Sequence, residues 1–368
     1  MGELKVINNQ EDNVHVNENE KSTGDYNLTN KASKSKEHKD MFQKKYVARH
    51  ITFYLLLVFL GLYLFTGAIA TEWHGNVPHI EIANYVFIGI NAVILGLVNY
   101  EILRLVGETK WPIYTQVITY LLIIFLFLFP AESIATEYGG IGSINYPFYT
   151  LLNWNWLKPW IIFVIYLCAI LGYYCLVFSS KEITFSKMTL ILIFTLYLTF
   201  ALKAMNKFML NPAYGWSSVV WLALIIILTD TFAFVGGVTY GKHKLAPTIS
   251  PNKTWEGAVT GIILAAVIAI TYAILMFHFA TSNHWVFNFF SNDNDQNVMR
   301  YVIYFLLAFV LSILSQLGDL SFSWIKRRYN IKDFSNLLPG HGGILDRLDS
   351  FSLVFFLMFI ISNIVLQR

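Results

Sequence analysis

Nine apolar runs, each near 20 residues, leave this chain few folds to choose from. They lie at roughly 51–71, 84–106, 112–130, 159–179, 187–205, 217–238, 256–278, 300–325 and 351–366. A helix rising about 1.5 Å per residue crosses about 30 Å of hydrocarbon in such a length. With 56% hydrophobic and 13% charged residues, the chain lacks the polar surface of a soluble domain of ordinary composition. The expectation is an all-α polytopic membrane protein with about nine transmembrane helices. The eighth run is the least clean, since Gln316 and Asp319 fall in its last third.

The first 48 residues are rich in Asn, Glu, Lys and Ser, too polar to bury a core, and read as a disordered tail. The first apolar run starts too far along for a cleaved signal peptide. Placing the tail in the cytosol puts every Lys and Arg on the inner side except Lys158, Lys203, Lys207, Arg300 and Arg368, which is the bias of inner loops. Three segments follow: the tail (1–48), the amino-terminal helices (49–216), and the carboxyl-terminal helices with a cytosol-facing site (217–368). A net charge of +3, with the basic residues clustered, excludes nucleic acid as an expected partner. Cys168 and Cys175 lie too far apart on one helix for a disulfide and read as packing residues. On the outer side, Trp154 and Trp156 suit an interfacial belt. Residues 293–297 lack the turn glycine and terminal Glu of a calcium loop, and His74 and His79 read as loop polarity.

Polar chemistry gathers in the carboxyl-terminal half. Between Ser323 and Asp349 stand Lys326, Arg327, Arg328, Lys332 and Arg347, together with Asp333, Asp346, Asp349 and a His-Gly-Gly turn. Such density between two spans asks for a functional reason. Asp230 in the sixth run is costly at that depth unless it faces a wet cavity, a metal or a cation; pairing with a helix neighbour is the plainer alternative. The next inner loop carries Lys242, Lys244 and Lys253 with a Ser250-Pro251-Asn252 turn. Ser250 or Asn252 would start the following helix, making an anion site to which Lys253 adds a full charge. A simple positive-inside anchor explains the charge equally well. Asp319 lies below Lys326 on one helix face, as a metal ligand would. Asp346 and Asp349, three apart where a helix begins, share a face and could join it on Mg2+; favourable charge at a helix start would account for one of them. The turn around His341, Gly342 and Gly343 can point backbone N–H groups at an anion. Carboxylates for a hard cation, side-chain cations and backbone donors are together what phosphoryl or nucleotidyl transfer needs.

The run Ser323-x-Ile325-Lys326-Arg327, then Lys332-Asp333-x-Ser335, then Leu338-Pro339-x-His341-Gly342-Gly343-Ile344-x-Asp346-Arg347-Leu348-Asp349 resembles the signature of phosphatidate cytidylyltransferases. Ser250-Pro251-Asn252-Lys253-Thr254-Trp255-Glu256-Gly257 also resembles that family, and the similarity covers about residues 225–350. The resemblance implies transfer of CMP from CTP to phosphatidic acid, giving CDP-diacylglycerol and pyrophosphate, with Mg2+ and optionally a second cation. Asp319, Asp346, Lys326, Arg327 and Asp349 would be catalytic. Asp319, Asp346, Asp349 and Asp230 would hold metal, and Lys253, Ser250, Asn252, Lys332, His341, Gly342, Gly343 and Arg347 would bind substrate. His341 is better cast as a structural or phosphate contact than as a base, because phosphatidate is already ionised near neutral pH. Partners would be CTP, phosphatidic acid and membrane lipids; the family suggests a homodimer, and the expected location is a bacterial plasma membrane. Many members carry Glu where this chain has Phe322, which leaves the ligand set open. A CTP-dependent lipid kinase of the polyprenol type is the alternative, and a transporter using intramembrane carboxylates leaves the Lys-Arg and His-Gly-Gly cluster unexplained.

Overall fold

The structure, a computed structural model, describes residues 47, 50–69, 80–106, 113–128, 159–178, 184–210, 214–280, 285–287 and 297–364. The tail up to residue 46, the 131–158 segment with Trp154 and Trp156, His74, His79 and residues 293–296 lie outside them. Contacts divide the chain into two units. The smaller joins the residues up to Leu56 with Pro339–His341; within it Thr52 Oγ1 donates to the Pro339 carbonyl at 3.0 Å. The larger comprises Leu57–Leu338 and Gly342–Arg368.

Nine helices are described, one for each apolar run: α1 His50–Ile69, α2 Ile80–Leu105, α3 Ile113–Leu128, α4 Pro159–Phe178, α5 Phe185–Leu210, α6 Gly215–Tyr240, α7 Trp255–Phe279, α8 Asn297–Arg328 and α9 Leu345–Ile364. Six of them (α1, α2, α5, α6, α7 and α8) are long and apolar enough to cross a membrane by length and composition. The only described strands are β1 Lys244–Ala246 and β2 Ser250–Thr254, an antiparallel hairpin pairing Lys244 with Thr254 and Ala246 with Ser250. The all-α expectation holds. Gln316 does not interrupt α8, because its side-chain amide donates to the Ala258 carbonyl at 2.9 Å.

In hydrocarbon there is little hydrophobic force between helices, so small residues and buried hydrogen bonds hold them together. Gly236 on α6 and Gly257 and Gly261 on α7 let those two helices approach closely, and Trp221 Nε1 donates to Ala269 O across the pair at 2.8 Å. Asn91 on α2 bonds Asn206 on α5 at 2.6 Å, and Thr195 donates to Asn99 at 2.9 Å. Helices α6, α7 and α8 pack on one another, α9 packs on α6 and α8, and α5 joins α9 to α2.

Two sequence expectations change, and two of the cations counted on the outer side gain a structural place. Lys203 and Lys207 are buried within α5, bonded to Tyr166 and Ser362. Their long stems lie along apolar helix surface while each ammonium finds an oxygen. Cys168 and Cys175 are free and exposed on α4 rather than packed. Neither Ser250 nor Asn252 starts α7: both lie in β2, and Thr254 is the N-cap, its hydroxyl accepting from Gly257 N at 3.2 Å. The residue before a proline is pushed to extended geometry, so Ser250 ahead of Pro251 continues a strand instead.

Candidate active site

A cavity of about 620 Å³ opens among α6, the β hairpin, α7, α8 and the start of α9. Asp230, Asn252, Lys253, Asp319, Lys326, Asp346, Arg347 and Asp349 all line it, so eight sequence-predicted residues from four elements meet at one place. Phe234, Val238 and Leu245 form an apolar wall.

Two ion pairs organise the floor. Lys253 Nζ is 2.6 Å from Asp319 Oδ2, both side chains about a quarter exposed, and Ser323 Oγ donates to Asp319 Oδ1 at 3.3 Å. Lys326 Nζ is 2.8 Å from Asp346 Oδ1. The second oxygen of Asp346 accepts from Phe334 N at 3.0 Å and from Gly343 N at 2.8 Å. Asp346 therefore ties the end of α8 to both sides of the 334–343 loop. Asp230 accepts only a long bond, 3.4 Å, from Ser350 Oγ, and Asp349 Oδ1 accepts from Ser350 N at 2.8 Å. The charges of Asp230, Asp319 and Asp349 act on one another across the cavity. Asp349 precedes the apolar stretch of its helix; burial, then the Asp319 charge, raises its carboxyl above the ordinary range.

Local sequence explains the placement. A Cβ on Gly318 would lie 2.9 Å from the Asp349 carbonyl, so a glycine next to Asp319 lets α8 come against α9 at the level of Asp349. Leu338 N donates to Gly342 O at 2.9 Å and Gly342 has φ +82°, a left-handed turn that glycine adopts at little cost. That turn delivers Gly343 N to Asp346.

Other predicted residues lie elsewhere. Arg327 is exposed and donates to Ile249 O at 3.2 Å and Ile331 O at 3.4 Å, joining α8 to the hairpin tip. Ser250, Lys332, Gly342 and Gly343 do not line the cavity, and His341 belongs to the smaller unit. Of the turn donors expected to face an anion, Gly343 N is taken by Asp346 at 2.8 Å; just beyond the turn, Ile344 N and Leu345 N donate to Glu101 on α2 at 2.8 and 2.7 Å. Glu101 escaped the sequence reading. Its one signal was a carboxylate deep in the second apolar run.

Among the described residues no three His, Cys, Asp or Glu side chains form a ready-made metal cage. Mg2+ seldom uses one; it is commonly held by one or two carboxylates together with substrate phosphates. Asp319, Asp349 and Asp230 are hard oxygen donors on one cavity wall, and the Lys253 ammonium lies against one of them. The donor chemistry therefore fits such a cation.

Residues 75–365 match the model of the cytidylyltransferase family. The chain is 33% identical over 211 residues to a protein of Rickettsia bellii named phosphatidate cytidylyltransferase, covering 57% of this chain and 84% of that one. A protein of the same name from Bacillus subtilis is 31% identical over 243 residues, 66% of this chain and 77% of its own length. One from Staphylococcus haemolyticus reaches 41% over 140 residues, 38% and 46% of the two chains. The chain belongs to the cytidylyltransferase family.

Against the pattern of that family, the Phe322 departure now has a place. Phe322 is 3% exposed, and its ring packs against Phe194, Tyr197 and Phe334. The side chain points away from the cavity into an aromatic cluster that supports the Phe334 end of the loop. In this cytidylyltransferase the position serves packing, and the carboxylates at the cavity come from α6, α8, α9 and, with Asp333, the loop between the last two.

Proposed function

We propose that the protein transfers CMP from CTP to phosphatidic acid, forming CDP-diacylglycerol and pyrophosphate in a membrane. The observation that carries this reading is one cavity that combines Asp230, Asp319 and Asp349 with Lys253, Lys326 and Arg347 beside an apolar wall, in a chain of the cytidylyltransferase family. A phosphate oxygen of phosphatidate attacks the α-phosphorus of CTP. The new O–P bond forms as the bond to the β-phosphate oxygen breaks, and pyrophosphate departs with that electron pair.

Lys253, Lys326 and Arg347 bind the phosphates and offset their charge, which is most of what catalysis of this kind requires. Asp319 and Asp346 hold the two lysines at the cavity by ion pairs. Asp319 and Asp349, with Asp230, would hold Mg2+, which when bound adds positive charge at the reacting phosphates. The apolar wall of Phe234 and Val238 suits the start of the acyl chains of a lipid lying in the bilayer. The proposed setting is a bacterial plasma membrane with the tail and the cavity on the cytosolic side, which is where the Lys and Arg bias would put them. Residues 217–368 would carry most of the chemistry, and a homodimer is the proposed assembly.

Purified protein given phosphatidic acid and CTP labelled at the α-phosphate tests the reaction. Label should appear in a CDP-lipid, with pyrophosphate released. Label remaining in CDP while the lipid gains an unlabelled phosphate would make the protein a lipid kinase instead.

A further inference from the structure

Glu101 is completely buried yet takes no part in the chemistry described above. Its Oε1 accepts from Ser335 Oγ at 2.6 Å and Ile344 N at 2.8 Å, and its Oε2 accepts from Leu345 N at 2.7 Å. All three donors belong to the 335–345 segment, more than 230 positions along the chain. Leu345 opens α9, whose first turn carries Asp346, Arg347 and Asp349 to the cavity. The first N–H groups of a helix have no partner within it, and Glu101 supplies two of them with charge-assisted acceptors. A Cβ at Gly343 would lie 2.6 Å from both carboxylate oxygens, so the backbone is pressed directly onto Glu101.

The contact fixes more than one bond. Ser335 also accepts from Leu337 N at 3.2 Å, so the carboxylate grips both ends of the loop that Asp346 clamps from the other side at Phe334 and Gly343. Helix α9 is thereby held in position and in rotation about its axis. Rotation decides whether Asp349, one turn beyond Asp346, faces Asp319. Glu101 is the acceptor for three donors at once, which a carboxylate satisfies and a carboxamide cannot, since one of its two ends is itself a donor.

We propose that Glu101 is a positioning residue of the active site: from α2 it sets the placement of the 335–345 loop and the first turn of α9, and so the aim of Asp346, Arg347 and Asp349. This inference rests on the transferase reading.

The test compares wild type, Glu101→Gln and Ser335→Ala as purified full-length proteins. Three readouts are used: kcat and KM for CTP, thermal melting, and hydrogen exchange of the 335–349 amides. Glu101→Gln should lower kcat about 10²-fold, the scale expected of a small misplacement of reacting groups. KM for CTP should rise by a smaller factor than kcat falls, since Lys253 on β2 keeps its place while Arg347 loses its aim. Exchange should rise at Ile344 and Leu345 and stay as in wild type in α6 and α7. Ser335→Ala, which removes one donor of three, should fold normally and lower kcat about 5-fold, roughly the worth of one ordinary hydrogen bond. A kcat within about twofold of wild type in either variant, with faster exchange at 344–345, would overturn the proposal and leave Glu101 a structural anchor. If Glu101→Gln does not accumulate, Ser335→Ala decides alone by the same measure. Wild-type protein that makes no CDP-lipid would instead sink the transferase reading, and the exchange data would still report whether Glu101 orders the segment.

Discussion

Asp319 and Asp346 face the same cavity with different attachments, and their substitutions should separate. Asp319 is a quarter exposed and held by Lys253 and Ser323. Asp319→Asn should cost at least about 10²-fold in kcat through lost charge at the reacting phosphates, with melting unchanged, and assay beside a thermal scan checks both. Asp346 is nearly buried and accepts one ammonium and two backbone N–H groups. Asp346→Asn should lower activity and thermal stability together, because the amide leaves buried donors facing a donor. The types of these residues could be read from the sequence, since carboxylates near a membrane ask for a purpose. Their attachments could not, because Lys253 is 66 positions from Asp319, and Glu101 still further from Ser335. Phe322 shows the same limit: only its neighbours Phe194 and Phe334 reveal that it faces inward.

At the scale of elements, the β hairpin between α6 and α7 is the part the sequence disguised most. Its lysines and its Ser-Pro-Asn turn suggested a helix start, while the fold makes β2 of them and gives the cap to Thr254. Glu256, the second residue of α7, accepts from Lys242 N and His243 N at 3.1 Å and pairs with the His243 ring at 2.5 Å. The hairpin is thus closed at its base, and Lys253 projects from it toward Asp319. Thr254→Val, which removes the capping oxygen, should cost about 1 kcal/mol and loosen Lys253, seen as a higher KM for CTP with a smaller change in kcat. Gly318→Val should be far more damaging. Added carbon at the α8–α9 contact would drive Asp319 from Asp349, and activity should fall while α6 and α7 keep their protection from hydrogen exchange. The helices themselves were legible throughout, since each apolar run near 20 residues became one helix. Helix α9 starts well before its run, at Leu345, where Glu101 takes up the amides of Ile344 and Leu345.

For the whole molecule, the charge bias along the chain predicts the tail and the cavity on the same face of the membrane. In sealed right-side-out vesicles a tag on the amino terminus should resist protease, and CTP added outside should yield no lipid product until the vesicles are opened; cleavage of the tag in sealed vesicles would reverse the orientation. The engaged backbone donors around the cavity carry a consequence for how nucleotide is gripped. Glu256 occupies the amides of Lys242 and His243, and Asp346 and Glu101 occupy those of residues 343–345. Unlike a glycine-rich cradle that wraps a triphosphate in main-chain N–H groups, this site greets it with cationic side chains, of which Lys253 and Lys326 already lean on carboxylates that the nucleotide must compete with. Such a grip is soft. It should weaken as ionic strength rises, and it should tolerate changes in the shape of the triphosphate better than the loss of any of its charges.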